Sequence, residues 1–193
     1  SVQMQRKSKN SYFISDTLSQ KISETKNSQG VFAVCKMKDE NISLKTDQKY
    51  IALDNLQDPG NLGTVIRTAE ALGISSVIVG GGCDVFNPKV LRASMGSVLR
   101  LDVFECQSLA PVLQKAKSLG IKTYATSPDS SAKKINETQF PKSSLCVIGN
   151  EANGVSDEVM NICDETVTIP MLGRAESLNA HVAGAIVMWE MLR

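Results

Sequence analysis

Short apolar runs bounded by turn residues recur along the chain at 50–54, 76–80, 121–125, 145–149 and 166–169. Between them lie segments with apolar residues at helical spacing, near 61–72, 88–96, 108–119, 155–162 and 177–192. Continuous apolar runs of this length fit strands buried on both faces. Strands that alternate with helices form a parallel sheet with helices on both of its faces. The predicted fold class is therefore α/β. The segment 98–105 reads as one more short strand or as an extended connection. A chain of 193 residues with 42% hydrophobic content is long enough for one good core. No apolar run approaches the roughly 20 residues of a membrane span. No basic and apolar signal segment opens the sequence either, so we expect a cytoplasmic protein.

The stretch Asp54–Ala69 carries the most local information. Tyr50–Leu53 reads as a buried strand, and Asp58-Pro59-Gly60 as a sharp turn. A helix is expected to begin near Asn61, with Leu62, Val65, Ile66, Ala69 and Leu72 on one face and Gly73 as the stop. Such a strand, loop and helix place polar groups at the edge of a parallel sheet, where α/β proteins bind ligands. Asn61 and Arg67 sit there, and taken alone they also fit a capping amide and a solvated guanidinium. Gly80-Gly81-Gly82 lacks the spacing of a dinucleotide loop and reads as a tight turn, with Asn87-Pro88 starting the next helix.

Residues 1–10 are polar and basic, a lead-in. Ser15 caps an expected short helix through Ile22, a turn falls near Gly30, and a strand is expected over Val31–Met37. Lys38–Lys49 is charged and polar, a linker. The five cysteines, Cys35, Cys83, Cys106, Cys146 and Cys163, are widely separated, and with one histidine and no C-x-x-C pair we expect no metal site. Free thiols in apolar runs suit a reducing compartment. The last helix is apolar nearly all round: Leu178, Val182, Ala185, Ile186 and Trp189 form one face, and Ala183, Gly184, Val187 and Met191 another. One face should meet the core and the other a second copy of the chain. The single histidine, His181, reads as a polar residue at the edge of that interface, with no neighbour in sequence for acid–base work. A net charge of +1 and a pI near 7.5 give no basic coat, and Lys89, Arg92 and Arg100 read as a solvated face. Composition thus speaks against a nucleic-acid partner.

Three motifs speak for one. Asn61, Gly63, Arg67, Thr68 and Ala69 form the first; Gly149, Glu151 and Gly154 the second; Ile169, Pro170, Met171, Gly173, Ser177, Leu178 and Asn179 the third. In this order they resemble motifs one to three of the SpoU-type (TrmH-like) RNA 2′-O-ribose methyltransferases of the SPOUT superfamily, over about residues 49–193. The resemblance implies a deep trefoil knot at the C-terminal end, against the general rule that chains do not thread loops. It also implies a homodimer with the cofactor site beside the interface, S-adenosylmethionine as cofactor, and RNA as substrate, ribosomal RNA of the 23S type ahead of transfer RNA. Residues 1–48 would then be a lead-in, the remnant of an N-terminal RNA-binding domain related to a ribosomal protein, and a linker, and 49–193 the methyltransferase domain. We expect the chain to be a piece of a longer protein.

The site residues that the resemblance implies are Asn61, Arg67, Glu151, Ser177 and Asn179 for catalysis. For the cofactor they are Thr126, Ser127, Gly149, Ile169 and Leu178. Glu151, Ser177 and Asn179 can orient sugar and phosphate, and the planar fork of Arg67 can hold a phosphate. A guanidinium stays charged, so Arg67 is expected to stabilise the developing alkoxide while a phosphate oxygen or water takes the proton. Two other classes are weighed: a catalytically idle RNA-binding or ribosome-assembly module with the same fold, and a nucleotide-binding oxidoreductase of ordinary doubly wound fold. The full set of polar motif residues speaks against the first, and the missing fingerprint loop against the second.

Overall fold

The computed structural model describes residues 10–23, 27–36 and 42–193. It divides into two units, Ser1–Asp39 and Glu40–Arg193. In the first, α1 spans Asp16–Ile22, and Ser15 caps it by accepting from the Leu18 N–H at 3.3 Å. The strand expected over Val31–Met37 is not formed at 31–36, and Met37 lies outside the described residues. A strand is stable only when a neighbour takes its backbone N–H and C=O groups, and none pairs with 31–36 among the described residues.

The second unit is a parallel sheet of seven strands: β1 (Lys49–Asp54), β2 (Ser76–Gly80), β3 (Asp102–Cys106), β4 (Lys122–Thr126), β5 (Lys133–Lys134), β6 (Ser144–Ile148) and β7 (Glu165–Thr168). Their order across the sheet is β3-β2-β1-β6-β4-β7-β5, and every pairing is parallel. Tyr50, Ile51, Ala52 and Leu53 in β1 are wholly buried, which is why this strand is a continuous apolar run. The helices are α2 (Pro59–Leu72), α3 (Pro88–Ala93), α4 (Ala110–Ser118), α5 (Asp157–Ile162) and α6 (Ala180–Leu192). One core layer joins Ile51 and Leu53 to Leu62, Val65 and Ile66 of α2 and to Val187, Met188 and Met191 of α6. The opposite layer joins Tyr50, Ala52, Leu145 and Val147 to Leu113 and Ala116 of α4 and Val159 of α5. Helices therefore cover both faces.

Several boundaries differ from expectation. Asp58-Pro59-Gly60 is the start of α2, not a turn before it: Asp58 accepts from the Asn61 N–H at 2.8 Å, and Pro59 occupies the first helical position. Asp as cap and Pro in the first turn satisfy a helix as well as a turn. The segment 98–105 divides into a 3-10 turn, Ser97–Leu99, and β3. Asn87 caps α3 as expected, accepting from the Lys89 N–H at 2.9 Å. The edge strand β5 was not expected.

The glycine run after β2 is a turn, with Gly81 and Gly82 both in the left-handed region (φ 67° and 78°). A Cβ on Gly82 would also run into the backbone carbonyl of Leu56. Gly82→Ala is therefore expected to cost about 2 kcal/mol or more, through the unfavourable φ and the displaced 55–56 backbone. Urea unfolding of the variant beside wild type measures it, and equal midpoints would show that this turn can relax freely.

Candidate active site

The loops that leave the C-terminal ends of β4, β6 and β7 come together, as parallel-sheet proteins arrange their ligand sites. After β6, Gly149 leads into a loop closed on itself by a bridge, with Asn150 and Gly154 exchanging backbone hydrogen bonds at 2.9 Å in both directions. The Asn150 side chain accepts from the Ala152 and Asn153 N–H groups at 2.9 and 3.1 Å and donates to the Asn55 carbonyl at 2.7 Å. Asp54, at the end of β1, accepts from the Ser156 N–H at 2.8 Å. The loop is thus tied to the end of β1, the strand beside β6. Gly149 must be glycine because any Cβ there would penetrate the backbone of Gly154 and Val155.

Beside this loop lies a cavity of about 360 Å³. Thr126 and Ser127 line it from the end of β4, Gly149 and Glu151 from the β6 loop, Ile169 from the end of β7, and Ser177 and Leu178 from the segment before α6. All five expected cofactor residues and two of the five expected catalytic ones therefore share one cavity. Ile148, Val155, Met160 and Met171 add apolar wall, and Thr126 spends its hydroxyl on the Val147 carbonyl at 3.0 Å. Such a mixture, mostly apolar with a few fixed polar groups, is typical of small-molecule sites. Glu151 also belongs to an adjoining open groove with Gln57, Asp58, Asn150 and Ala152. It stands where the cavity meets the more open groove.

Glu151 is held by three donors from α2 and the residues before it. The Asn61 amide and the Asp58 N–H reach Oε1 at 2.9 and 3.1 Å, and the Gln57 N–H reaches Oε2 at 3.2 Å. Partial burial pushes its carboxyl upward, but these hydrogen bonds and one from its own backbone outweigh that and hold it below the ordinary range. At neutral pH Glu151 is a carboxylate and an acceptor only.

The other three expected catalytic residues lie outside the cavity wall. Asn61, nearly buried, reaches the site through Glu151. Asn179 caps α6, accepting from the His181 N–H at 3.0 Å. Arg67 is exposed on α2 and makes no ion pair or side-chain hydrogen bond among the described residues. His181, set aside on sequence, is within 3.0 Å of the Asn61 carbonyl oxygen through Nδ1. Its place in the first turn of the helix that follows the third motif was the one signal that could have flagged it. Among the described residues no group of three His, Cys, Asp or Glu side chains is arranged to hold a metal ion.

The SpoU rRNA Methylase family profile matches residues 48–189. The chain belongs to the SpoU rRNA methylase family. The 23S rRNA (guanosine(2553)-2′-O)-methyltransferase RlmP of Bacillus subtilis (strain 168) is 36% identical over 181 residues, covering 93% of this chain and 71% of that protein. The 23S rRNA (uridine(2479)-2′-O)-methyltransferase of Streptomyces viridochromogenes is 33% identical over 159 residues, covering 80% of this chain and 55% of the relative. Among solved structures, the SpoU methyltransferase AviRb from Streptomyces viridochromogenes in complex with the cofactor AdoMet superposes with a TM-score of 0.73 at 32% identity. That match covers 81% of this chain and 65% of the AviRb chain. The chain thus spans only part of these SpoU-family relatives, and the last two have at least a third of their length beyond the match.

Proposed function

We propose that this chain is the catalytic unit of an S-adenosylmethionine-dependent RNA 2′-O-ribose methyltransferase acting on ribosomal RNA of the 23S type. The observation that carries the reading is the placement of Glu151, a carboxylate fixed by three donors where a partly open cavity meets a more exposed groove. A methyl donor and a polymer substrate need such a junction, because the two reactants must meet in line while the polymer stays outside.

The cavity suits the cofactor. Gly149, whose missing Cβ lets the loop close, and the apolar Ile169 and Leu178 would hold it, with Thr126 and Ser127 at the end of β4. Bound there, S-adenosylmethionine supplies an electrophilic methyl group. The chain's own work is to orient the ribose and handle its proton. Glu151 accepts a hydrogen bond from a sugar hydroxyl, Ser177 offers a second contact, and Asn61 and Asn179 hold the surrounding elements in register. Arg67, outside the cavity wall, engages a backbone phosphate of the RNA with its two-pronged guanidinium. The proton leaves to a phosphate oxygen or water.

The reading includes a homodimer, a cytoplasmic location, the trefoil knot of the family, and RNA contacts from residues 1–48 as part of a ribosomal-protein-like RNA-binding domain. α6 supports the dimer. Its Gly184, Val187 and Met191 are buried in the chain's own core, whereas Val182, Trp189 and Leu192 are 37%, 60% and 39% exposed. Trp189→Glu, a charge on the outward face, is expected to turn a dimer into a folded monomer in light scattering. A wild-type chain that is already monomeric at micromolar concentration would refute the dimer.

Mass-spectrometric mapping of ribose methylation in RNA from cells with and without the gene tests the function directly. One 23S-type ribosomal RNA ribose is expected to lose its methyl group in the deletion. An unchanged map, or a loss confined to transfer RNA, would overturn the assignment or its substrate.

A further inference from the structure

Three segments far apart in sequence meet in one chain of hydrogen bonds: the first turn of α2, the loop after β6 and the first turn of α6. Asn61 Nδ2 donates to Glu151 Oε1 at 2.9 Å, and Asn61 Oδ1 lies 3.0 Å from His181 Nδ1. The direction of each bond follows from chemistry. Glu151 is ionised and accepts only, so the NH₂ end of the Asn61 amide must face it. The carbonyl end then faces His181, and His181 must donate from Nδ1. A neutral imidazole protonated only on Nε2 would set two acceptors against each other.

Asn61 is only 8% exposed, so its carbonyl finds no ready replacement in solvent. Without the imidazole that oxygen is left without a donor, and the amide is free to turn. Glu151 would then keep only backbone donors, from Gln57, Asp58 and its own N–H, and lose the side chain that fixes Oε1. α6 begins directly after Ser177 and Leu178, which line the cavity, so the same contact ties the cavity wall to the carboxylate at its mouth.

We propose that His181 is a positioning residue for methyl transfer: its Nδ1–H locks the Asn61 amide and, through it, the Glu151 carboxylate. The proposal deepens the reading of the site as a methyl-transfer centre and rests on it for the kinetic test alone. Ring-¹⁵N labelling reads the tautomer, and the imidazole signals that vanish in His181→Asn identify the ring. In the full-length enzyme the neutral ring is expected to carry its proton on Nδ1. Asn61→Ala should return it to the Nε2–H form that free histidine prefers. An Nε2–H ring in wild type, or no change in Asn61→Ala, overturns the proposal.

Kinetically, His181→Ala should lower kcat about tenfold, the size of about one lost hydrogen bond passed on through Asn61 to Glu151, with the KM for S-adenosylmethionine within about twofold. His181→Asn places an amide N–H where Nδ1 stood and should recover kcat to within about threefold of wild type. Full activity in His181→Ala, or an Asn variant no better than Ala, overturns the proposal. If the wild-type enzyme transfers no methyl group, the functional reading fails, and the tautomer alone decides whether His181 holds Asn61.

Discussion

Gly149→Ala should weaken binding of S-adenosylhomocysteine by about a hundredfold, and Gly149→Val should do so with additional loss of stability. The added Cβ lies inside the backbone of Gly154 and Val155, where no side-chain rotation can relieve it. The only relief is to open the loop, which breaks the Asn150–Gly154 bridge and moves Glu151. Overpacking against backbone costs about 1–3 kcal/mol or more, and a displaced cavity wall adds its own loss, so affinity should fall by about a hundredfold. Titration calorimetry reads the affinity, and thermal unfolding separates a local loss from a global one. Affinity within threefold of wild type in Gly149→Ala would remove this cavity as the cofactor site.

Arg67→Ala should reduce methyl transfer by about 10²–10³-fold, the range for losing a charged group that stabilises negative charge in a transition state. Cofactor affinity and melting temperature should stay close to wild type, because Arg67 is exposed, lies outside the cavity and has no intramolecular partner among the described residues. Arg67→Lys should fail nearly as badly, since an ammonium cannot make the parallel two-pronged contact. A lysine variant at near-wild-type turnover would show that charge alone suffices. Loss of S-adenosylhomocysteine binding in Arg67→Ala would instead make Arg67 a residue of the cofactor site.

What the amino-acid sequence revealed follows from what burial does to composition. β1, β2 and β6 are buried on both faces, so they are unbroken apolar runs and were legible. β3 is an edge strand, half-exposed, and its run is ambiguous. β5 is two exposed lysines with no apolar signature at all. The start of α2 is ambiguous in the sequence because Asp-Pro-Gly satisfies a turn and a helix start equally well.

At the site, the three motifs led to the cavity residues, whereas their mutual placement needed coordinates. Asn61 and Arg67 belong to one motif, yet six residues is about one and two-thirds helical turns, so they point in different directions. The contact between Asn61 and His181 joins positions 120 residues apart and leaves no local trace. Which face of α6 turns inward was likewise undecidable on a helix apolar all round. Gly184 and Val187 face the core, and Trp189 faces out.

Because β6 lies between β1 and β4, the middle of the sheet stays incomplete until Ile148 has been synthesised. Tyr50 pairs with Ser76 early, but its other edge waits for Leu145. Until then an apolar strand presents a row of unpaired backbone groups, the geometry that invites joining with other chains. Pairings so distant along the chain place folding toward the slow end for a domain of this size. Stalled or 3′-truncated messages that end before the codon for Ile148 should therefore yield sticky fragments, and the protein's yield in cells should depend on how fast the ribosome crosses that stretch.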